Sequence, residues 1–269
     1  MLPQPNPTRL DRLSALLQAA APAVVLGPAT ELAGNLSNTL LVQLLATLGH
    51  APHSVCVGQS QGAGAGLVTN KDALPPDAAT LTMQVHLNGP AAPMLMREFA
   101  QPMVLPLAGA DAALTQAVQL LCSELAAPRC GQPAMLASAG NMLFIGLLRH
   151  LVAHPQASSG LFVGLGDPRL AAALVAMHEQ PQTAWTLALL ADRAGMSRTA
   201  FATHFKEAMR TPPGKYLAQL RLLIAQRAVK SGKGLKAAAR ESGYKDVSAL
   251  SRALGRVHGR TRSQPSFAQ

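Results

Sequence analysis

Residues Leu187 to Lys206 read LALLADRAGMSRTAFATHFK, and residues Leu235 to Arg256 read LKAAARESGYKDVSALSRALGR. The two segments align at an offset of 48. Each contains an alanine, three residues and then a glycine: Ala191 with Gly195, and Ala239 with Gly243. Each continues with an apolar pair at i,i+4, Phe201 with Phe205 and Leu250 with Leu254. A small residue in one helix lets a second helix cross it closely, and glycine takes the positive φ of a three- or four-residue turn. The i,i+4 pair then seats the second helix on the core. Ser197 is placed to cap the second helix of the first unit, and Asp246 that of the other. One such pattern is weak. Two in tandem, the second with a turn one residue longer, spell a repeated helix-turn-helix over 187–206 and 235–256.

Between the units, after Pro212-Pro213, Tyr216, Leu217, Leu220, Leu223, Ile224 and Val229 recur at helical spacing until Gly232 and Gly234. A connector helix of about 18 residues spans about 27 Å. That length suits two recognition helices set roughly 34 Å apart, in successive major grooves on one face of DNA.

The charge follows the repeat. The chain of 269 residues carries 23 Lys and Arg against 13 Asp and Glu, a formal charge of +10. Residues 1–166 hold six basic and seven acidic residues, giving −1, while residues 167–269 hold seventeen and six, giving +11. A basic third joined to a near-neutral remainder points to a polyanionic partner; a solubilising face is the plainer alternative. With 49% hydrophobic and 13% charged residues the chain is too apolar for disorder, and its length suits two domains with an ordinary core. Three cysteines far apart do not make a disulfide framework, so a reduced, cytoplasmic setting is expected. Neither apolar stretch makes a membrane span: 36–48 is broken by Asn38 and Gln43, and 134–148 by Ser138 and Asn141. Arg9 and Arg12 ahead of an Ala/Leu stretch faintly resemble a signal peptide, but Asp11, Gln18 and Pro22 favour an Ala-rich surface helix.

The near-neutral part changes character along its length. From Leu13 to about Phe99, short apolar runs are divided by turn residues, which reads as strands. Val24 to Leu26 ends at Gly27-Pro28, Val55 to Val57 ends at Gly58, and Leu81, Met83, Val85 and Leu87 alternate before Asn88-Gly89-Pro90. Leu36 to Leu48 fits a helix or two buried strands, and only Leu13–Ala21 looks helical. After Pro106, residues 111–127 and 133–153 have helical spacing and broad apolar faces, which suit either a dimer seam or packing within one chain. A loop around Ser158–Gly166 leads to Asp167-Pro168, a good N-cap and first helical residue, where the basic domain begins.

Residues from about 167 to 258 resemble the DNA-binding domain of the AraC/XylS family of bacterial transcriptional regulators. The resemblance rests on Trp185-Thr186, Leu190-Ala191, Gly195-Met196-Ser197-Arg198, Phe201, Phe205-Lys206, Pro213, Tyr216, Arg221-Leu222 and Ala225. The second unit adds Ala238-Ala239, Gly243-Tyr244, Ser251-Arg252-Ala253 and Arg256. Residues 13–26 and 103–166 more loosely resemble the subgroup with a cupin-like sensory domain. Thr203 stands where the family often has a basic residue, Leu254-Gly255 where Phe-Lys is usual, and the closing signature is degraded over Gly259 to Phe267. The resemblance implies an α+β chain: a small β-rich, degenerate cupin-like domain over 1–106, a helical linker and dimerisation segment over 107–166, and an all-α, seven-helix tandem helix-turn-helix domain over 167–269.

With Phe201 and Phe205 inward, Arg198, Thr199, Ala202 and Thr203 fall on the exposed side of the first recognition helix. With Leu250 and Leu254 inward, Val247, Ser248, Ser251 and Arg252 do so on the second. Arginine reads guanine by a bidentate pair, Ser and Thr are permissive, and Ala or Val can touch a thymine methyl. Arg198 and Arg252 lead as base contacts, with phosphate contact the alternative. Ser197, Lys206, Arg210, Lys215, Lys245 and Arg256 are expected on phosphates.

The sensing half offers no strong chemical motif. Metal-dependent cupins use His-x-His with a later Glu and His; here His50, His53 and His86 are scattered, so neither metal nor cofactor is expected. The glycine run at 62–66 lacks the Lys-Ser/Thr of a nucleotide loop. Cys56, Cys122 and Cys130 are either a redox switch or buried inert thiols. Met83, Met94 and Met96 suit adaptable packing or a pocket lining. Three function classes follow. The first is a sequence-specific transcriptional regulator with an unidentified small-molecule effector, DNA and RNA polymerase as partners, and possible homodimers. The others are a metal-dependent cupin enzyme and a non-specific architectural DNA-binding protein.

Overall fold

In the computed structural model, residues 11–26, 38–46, 51–59 and 79–262 are described. Gly27-Pro28, His50, the glycine run at 62–66 and the tail beyond Arg262 lie outside the described residues. The chain divides into two compact units, one from Ala20 to Gly166 and the other from Asp167 onward together with the amino-terminal segment through Ala19.

The first unit is built on a five-stranded antiparallel sheet in the order β1-β4-β2-β3-β5. The strands are β1 (Pro22–Leu26), β2 (Thr39–Leu45), β3 (Ser54–Gln59), β4 (Ala79–Leu87) and β5 (Met103–Pro106). The ambiguous stretch around residues 39–45 is therefore a strand: both of its faces are covered, so its sequence is a nearly continuous apolar run with no period to read. Strand register puts Leu40, Val42 and Leu44 beside Met83 and Val85 of β4 and Val55 and Val57 of β3. All of these are buried.

Against that face lies α4 (Gln132–Ala153), with α3 (Ala112–Ala126) packed beside it. Two glycines in α4 make the fit possible. A Cβ on Gly140 would stand 2.7 Å from Val24 Cγ1, and one on Gly146 would stand 2.7 Å from the Leu114 backbone nitrogen of α3. By length and composition α4 could cross a membrane, but 56% of its most apolar window is buried within the protein. The core thus absorbs the broad apolar faces of both helices, while Leu125, Met135 and Met142 stay exposed.

The opposite face of the sheet mixes apolar and polar groups. Leu41, Leu45 and Cys56 cluster there, and register places Thr39 opposite His86 and Gln43 opposite Thr82. Thr39 Oγ1 lies 2.9 Å from His86 Nδ1, and Thr39, Thr82 and Gln84 are buried.

Two helices depart from expectation. Residues Ala92–Glu98 form α2, and the stretch expected as a loop before Asp167 contains α5 (Leu161–Gly166). They meet through a carboxylate: Glu98 Oε1 accepts the Leu161 N–H at 2.9 Å, and burial raises the Glu98 pKa although backbone N–H groups oppose the rise. This pairing joins residues 63 positions apart, so no local spacing announces it.

The second unit contains α1 (Ser14–Ala20) as far as Ala19, then six helices among the described residues where seven were expected. Asp11 caps α1 by accepting the N–H groups of Leu13 and Ser14. The others are α6 (Pro168–Glu179), α7 (Leu187–Arg193), α8 (Arg198–Met209), α9 (Pro213–Lys230), α10 (Leu235–Ser242) and α11 (Val247–Arg262).

Because the Leu114 backbone cannot recede without moving α3, overpacking at Gly146 should cost about 1–3 kcal/mol. Gly146→Ala is expected to lower the urea midpoint of the first unit while a tryptophan signal from Trp185 in the second keeps its midpoint.

Candidate nucleic-acid interface

Each helix-turn-helix is assembled from short local signals. Thr186 caps α7 by accepting the Leu189 N–H, and Ser197 caps α8 by accepting that of Ala200. Between them Gly195 stands at φ +60°. In the second unit α10 ends at Gly243, at φ +76°, and Asp246 caps α11 by accepting the Ala249 N–H at 2.7 Å. Ala191 and Ala239, the expected crossing points, are buried.

Under the first helix-turn-helix sits a run of rings. Phe201 and Phe205 of α8 are fully buried with centroids 5.5 Å apart, and Phe205 meets Tyr216 of α9 edge-on at 5.8 Å. The Tyr216 hydroxyl lies 2.8 Å from His178 Nε2 of α6. The second helix-turn-helix is seated differently, on Ala225 and Ala228 of α9 against Ala238, Ala239 and Leu250, with Tyr244 and Leu254 at the edge. Inward positions on α11 are thus Leu250 and Ala253, with Leu254 only partly covered.

The residues expected to face DNA lie on the surface. Ser197, Arg198, Thr199, Thr203 and Lys206 are exposed on or beside α8, and Ala202 is half-buried. Val247, Ser248, Ser251, Arg252 and Arg256 are exposed on α11, and Arg210, Lys215 and Lys245 are exposed outside the two recognition helices. Burying the apolar face of each helix turns the short polar and basic side chains outward together.

One pairing in the site escaped the sequence. Asp167 Oδ1 caps α6 on the Arg169 and Leu170 N–H groups, while its Oδ2 lies 2.6 Å from His204 Nε2 of α8. The side-chain bond to His204 and those two backbone bonds hold the Asp167 carboxyl below its ordinary value, although burial pulls the other way. The Asp-Pro cap was legible, but its second partner, 37 residues away, was not.

In the first unit, Cys56 is buried and desolvation pushes its thiol up to about 11, away from the thiolate a reactive cysteine needs. Cys122 is half-buried and shifted the same way, and Cys130 is exposed. Among the described residues, no three His, Cys, Asp or Glu side chains come together as metal ligands.

Comparison with known proteins agrees with this architecture. A Cupin family matches residues 3–153 and a Helix-turn-helix domain matches residues 190–264. The chain belongs to that Cupin family, whose match covers more than half of it, and carries an AraC-type helix-turn-helix domain in its basic part. It is 40% identical over 120 residues to a "Putative AraC-like transcription regulator" of Streptomyces lividans, covering 44% of this chain and 40% of that one. It is 33% identical over 135 residues to an "Uncharacterized HTH-type transcriptional regulator" of Haemophilus influenzae, covering 50% and 45%. It is 34% identical over 117 residues to the "HTH-type transcriptional regulator AlkR" of Acinetobacter baylyi, covering 43% and 38%. The matched segments thus span less than half the length of these relatives. No solved structure matches the chain.

The ring run carries a pH signature. Burial pushes His178 down to about 4 from an ordinary 6.5, so the unfolded chain takes up a proton that the folded one refuses between those values. Stability of the second unit should fall as pH drops from about 6.5 to about 4 and flatten below. His178→Gln should remove that part of the slope in urea titrations at several pH values.

Proposed function

We propose that this protein is a sequence-specific DNA-binding transcriptional regulator that lays α8 and α11 into successive major grooves and is controlled by an effector at its amino-terminal unit. The single observation that carries this is the tandem pair of capped, glycine-turned helix pairs in the part of the chain with charge +11, each showing DNA-facing residue types outward. Phosphate attraction supplies affinity from that charge, and specificity comes from groups that meet base edges. Arg198, Thr199, Ala202 and Thr203 read one half-site, and Val247, Ser248, Ser251 and Arg252 the other. Ser197, Lys206, Arg210, Lys215, Lys245 and Arg256 hold phosphates.

Support for a sensory role comes from the sheet face bearing Thr39, Gln43, Thr82, Gln84 and His86. An interior row of hydroxyl, amide and imidazole groups suits a small polar effector better than a purely apolar one. The exposed Leu125, Met135 and Met142 of α3 and α4 favour a homodimer through this unit. RNA polymerase is the further partner and the cytoplasm the site of action. Any redox response belongs to Cys130, the exposed cysteine. Regulation rather than turnover is favoured because the similar proteins are named as regulators.

Operator selection from a random DNA pool tests this directly: enrichment of a two-part motif is expected, and uniform coating of all sequences would sink it. Arg198→Ala should cost about 1–3 kcal/mol at one base pair and relax preference there, whereas uniform weakening across sequences would make Arg198 a phosphate contact. Lys215→Ala should reduce the slope of log affinity against log salt by about one, with sequence preference intact.

A further inference from the structure

Two recognition helices can act on one DNA site only if their separation is held to within a fraction of a base-pair step. The packing that seats α10 and α11 on α9 is mostly alanine against alanine: Ala225, Ala228, Ala238 and Ala239. Alanines let the helices approach closely but offer few long side chains to key one helix against another. A further contact is needed to fix the second helix-turn-helix against the first.

That role falls to a three-way junction at the loop leading into α7. Arg221, near the middle of α9, sends its guanidinium to two carbonyls of the loop, Nε to Pro181 O and a terminal nitrogen to Thr183 O, each at 2.7 Å. From another element, the turn between α10 and α11 reaches the same loop. A Cβ on Gly243 would stand 2.6 Å from Gln182 Cα, 2.8 Å from Pro181 O and 3.2 Å from Arg221 Nε. Gly243 is therefore required twice, for its φ of +76° and for this approach of backbone to backbone. Three residues beyond Thr183, Thr186 caps α7. One short loop is thus gripped by the connector, abutted by the second turn, and continuous with the first helix-turn-helix.

We propose that the junction of Arg221, Gly243 and the Pro181–Thr183 loop sets the separation of α8 and α11, and with it the half-site spacing the protein accepts. The inference rests on the tandem DNA-reading role above. A guanidinium suits this task because its donors are fixed in one planar fork, so two simultaneous bonds define an angle as well as a distance. Lysine keeps the charge but not the fork.

The test uses the full chain, a two-part site from the random-pool selection, and the same site with one base pair added or removed between its halves. One added pair turns the second half-site by about 35°. The wild-type protein should bind the altered sites much more weakly than the original. Arg221→Lys should bind the original site somewhat less well and narrow that discrimination by about tenfold, because the freed second helix-turn-helix follows the displaced half-site. Gly243→Ala, which forces the turn off the loop, should narrow it too.

The outcomes separate cleanly. Wild-type binding indifferent to spacing overturns the tandem reading itself. Wild-type discrimination that persists undiminished in both variants overturns the junction's role and leaves the tandem reading standing. If neither variant folds, spin labels at Thr203→Cys and Ser251→Cys, with the native cysteines replaced by alanine, decide it in protein that keeps Arg221 and Gly243. A single narrow distance distribution is expected, and one broad by many ångströms overturns the proposal.

Discussion

The second unit depends on one run of buried rings. Phe201 and Phe205 on α8, Tyr216 on α9 and His178 on α6 form a continuous contact across three helices. Aromatic pairs at these centroid distances add about 0.5–1.5 kcal/mol each beyond the area they bury. Aromatic residues make up only 3% of the chain, so their concentration beneath one helix decides which element is held most firmly. Once the two phenylalanines are inward, helical periodicity turns Thr199 and Thr203 to the surface, while Arg198 is exposed because it opens the helix at its first residue.

The second helix-turn-helix is seated by different means. Where the first has phenylalanines, it has Leu250 and Ala253, with Leu254 only partly covered. Gly255 on the exposed side of α11 weakens that helix by about 1 kcal/mol relative to alanine. With less side-chain volume to bury, the unit relies on geometry instead: a glycine abutting backbone and an arginine fork on two carbonyls. The halves of the repeat share a pattern but not an energetic basis, one being fixed by ring packing and the other by a polar junction.

What the sequence disclosed and what it hid divide along the range of the interactions. Caps at Ser197 and Asp246, turns at Gly195 and Gly243, and the connector over Pro213–Lys230 are all decided within a few residues, so they could be read directly. Strands β1, β3 and β4 were legible from their turn residues and, in β4, from alternation. Residues 39–45 were not, because a strand covered on both faces loses the alternation that marks it. Helix α2 is only seven residues long, with a proline in its first turn, and α5 is shorter still with two glycines, so neither shows a readable period. The exposed face of each recognition helix followed from which residues were buried. Asp167 with His204, and Arg221 with the Pro181–Thr183 loop, join elements about 40 residues apart, and only the fold brings them together.

That division bears on how the two units are connected. A single residue, Asp167, lies between the end of α5 at Gly166 and the start of α6 at Pro168. At one end of this stretch, Glu98 of the sheet unit holds the first N–H of α5. At the other, the two oxygens of Asp167 divide their work, one capping α6 and the other held by His204 on α8. The covalent path out of the sheet unit therefore arrives at a carboxylate that is already part of the setting of the first recognition helix. An alanine at 167 would leave α6 uncapped and His204 without its acceptor at the same time. A serine could keep the cap, but its hydroxyl is too short to serve both. Aspartate satisfies both demands, because its carboxylate has two separate acceptor oxygens.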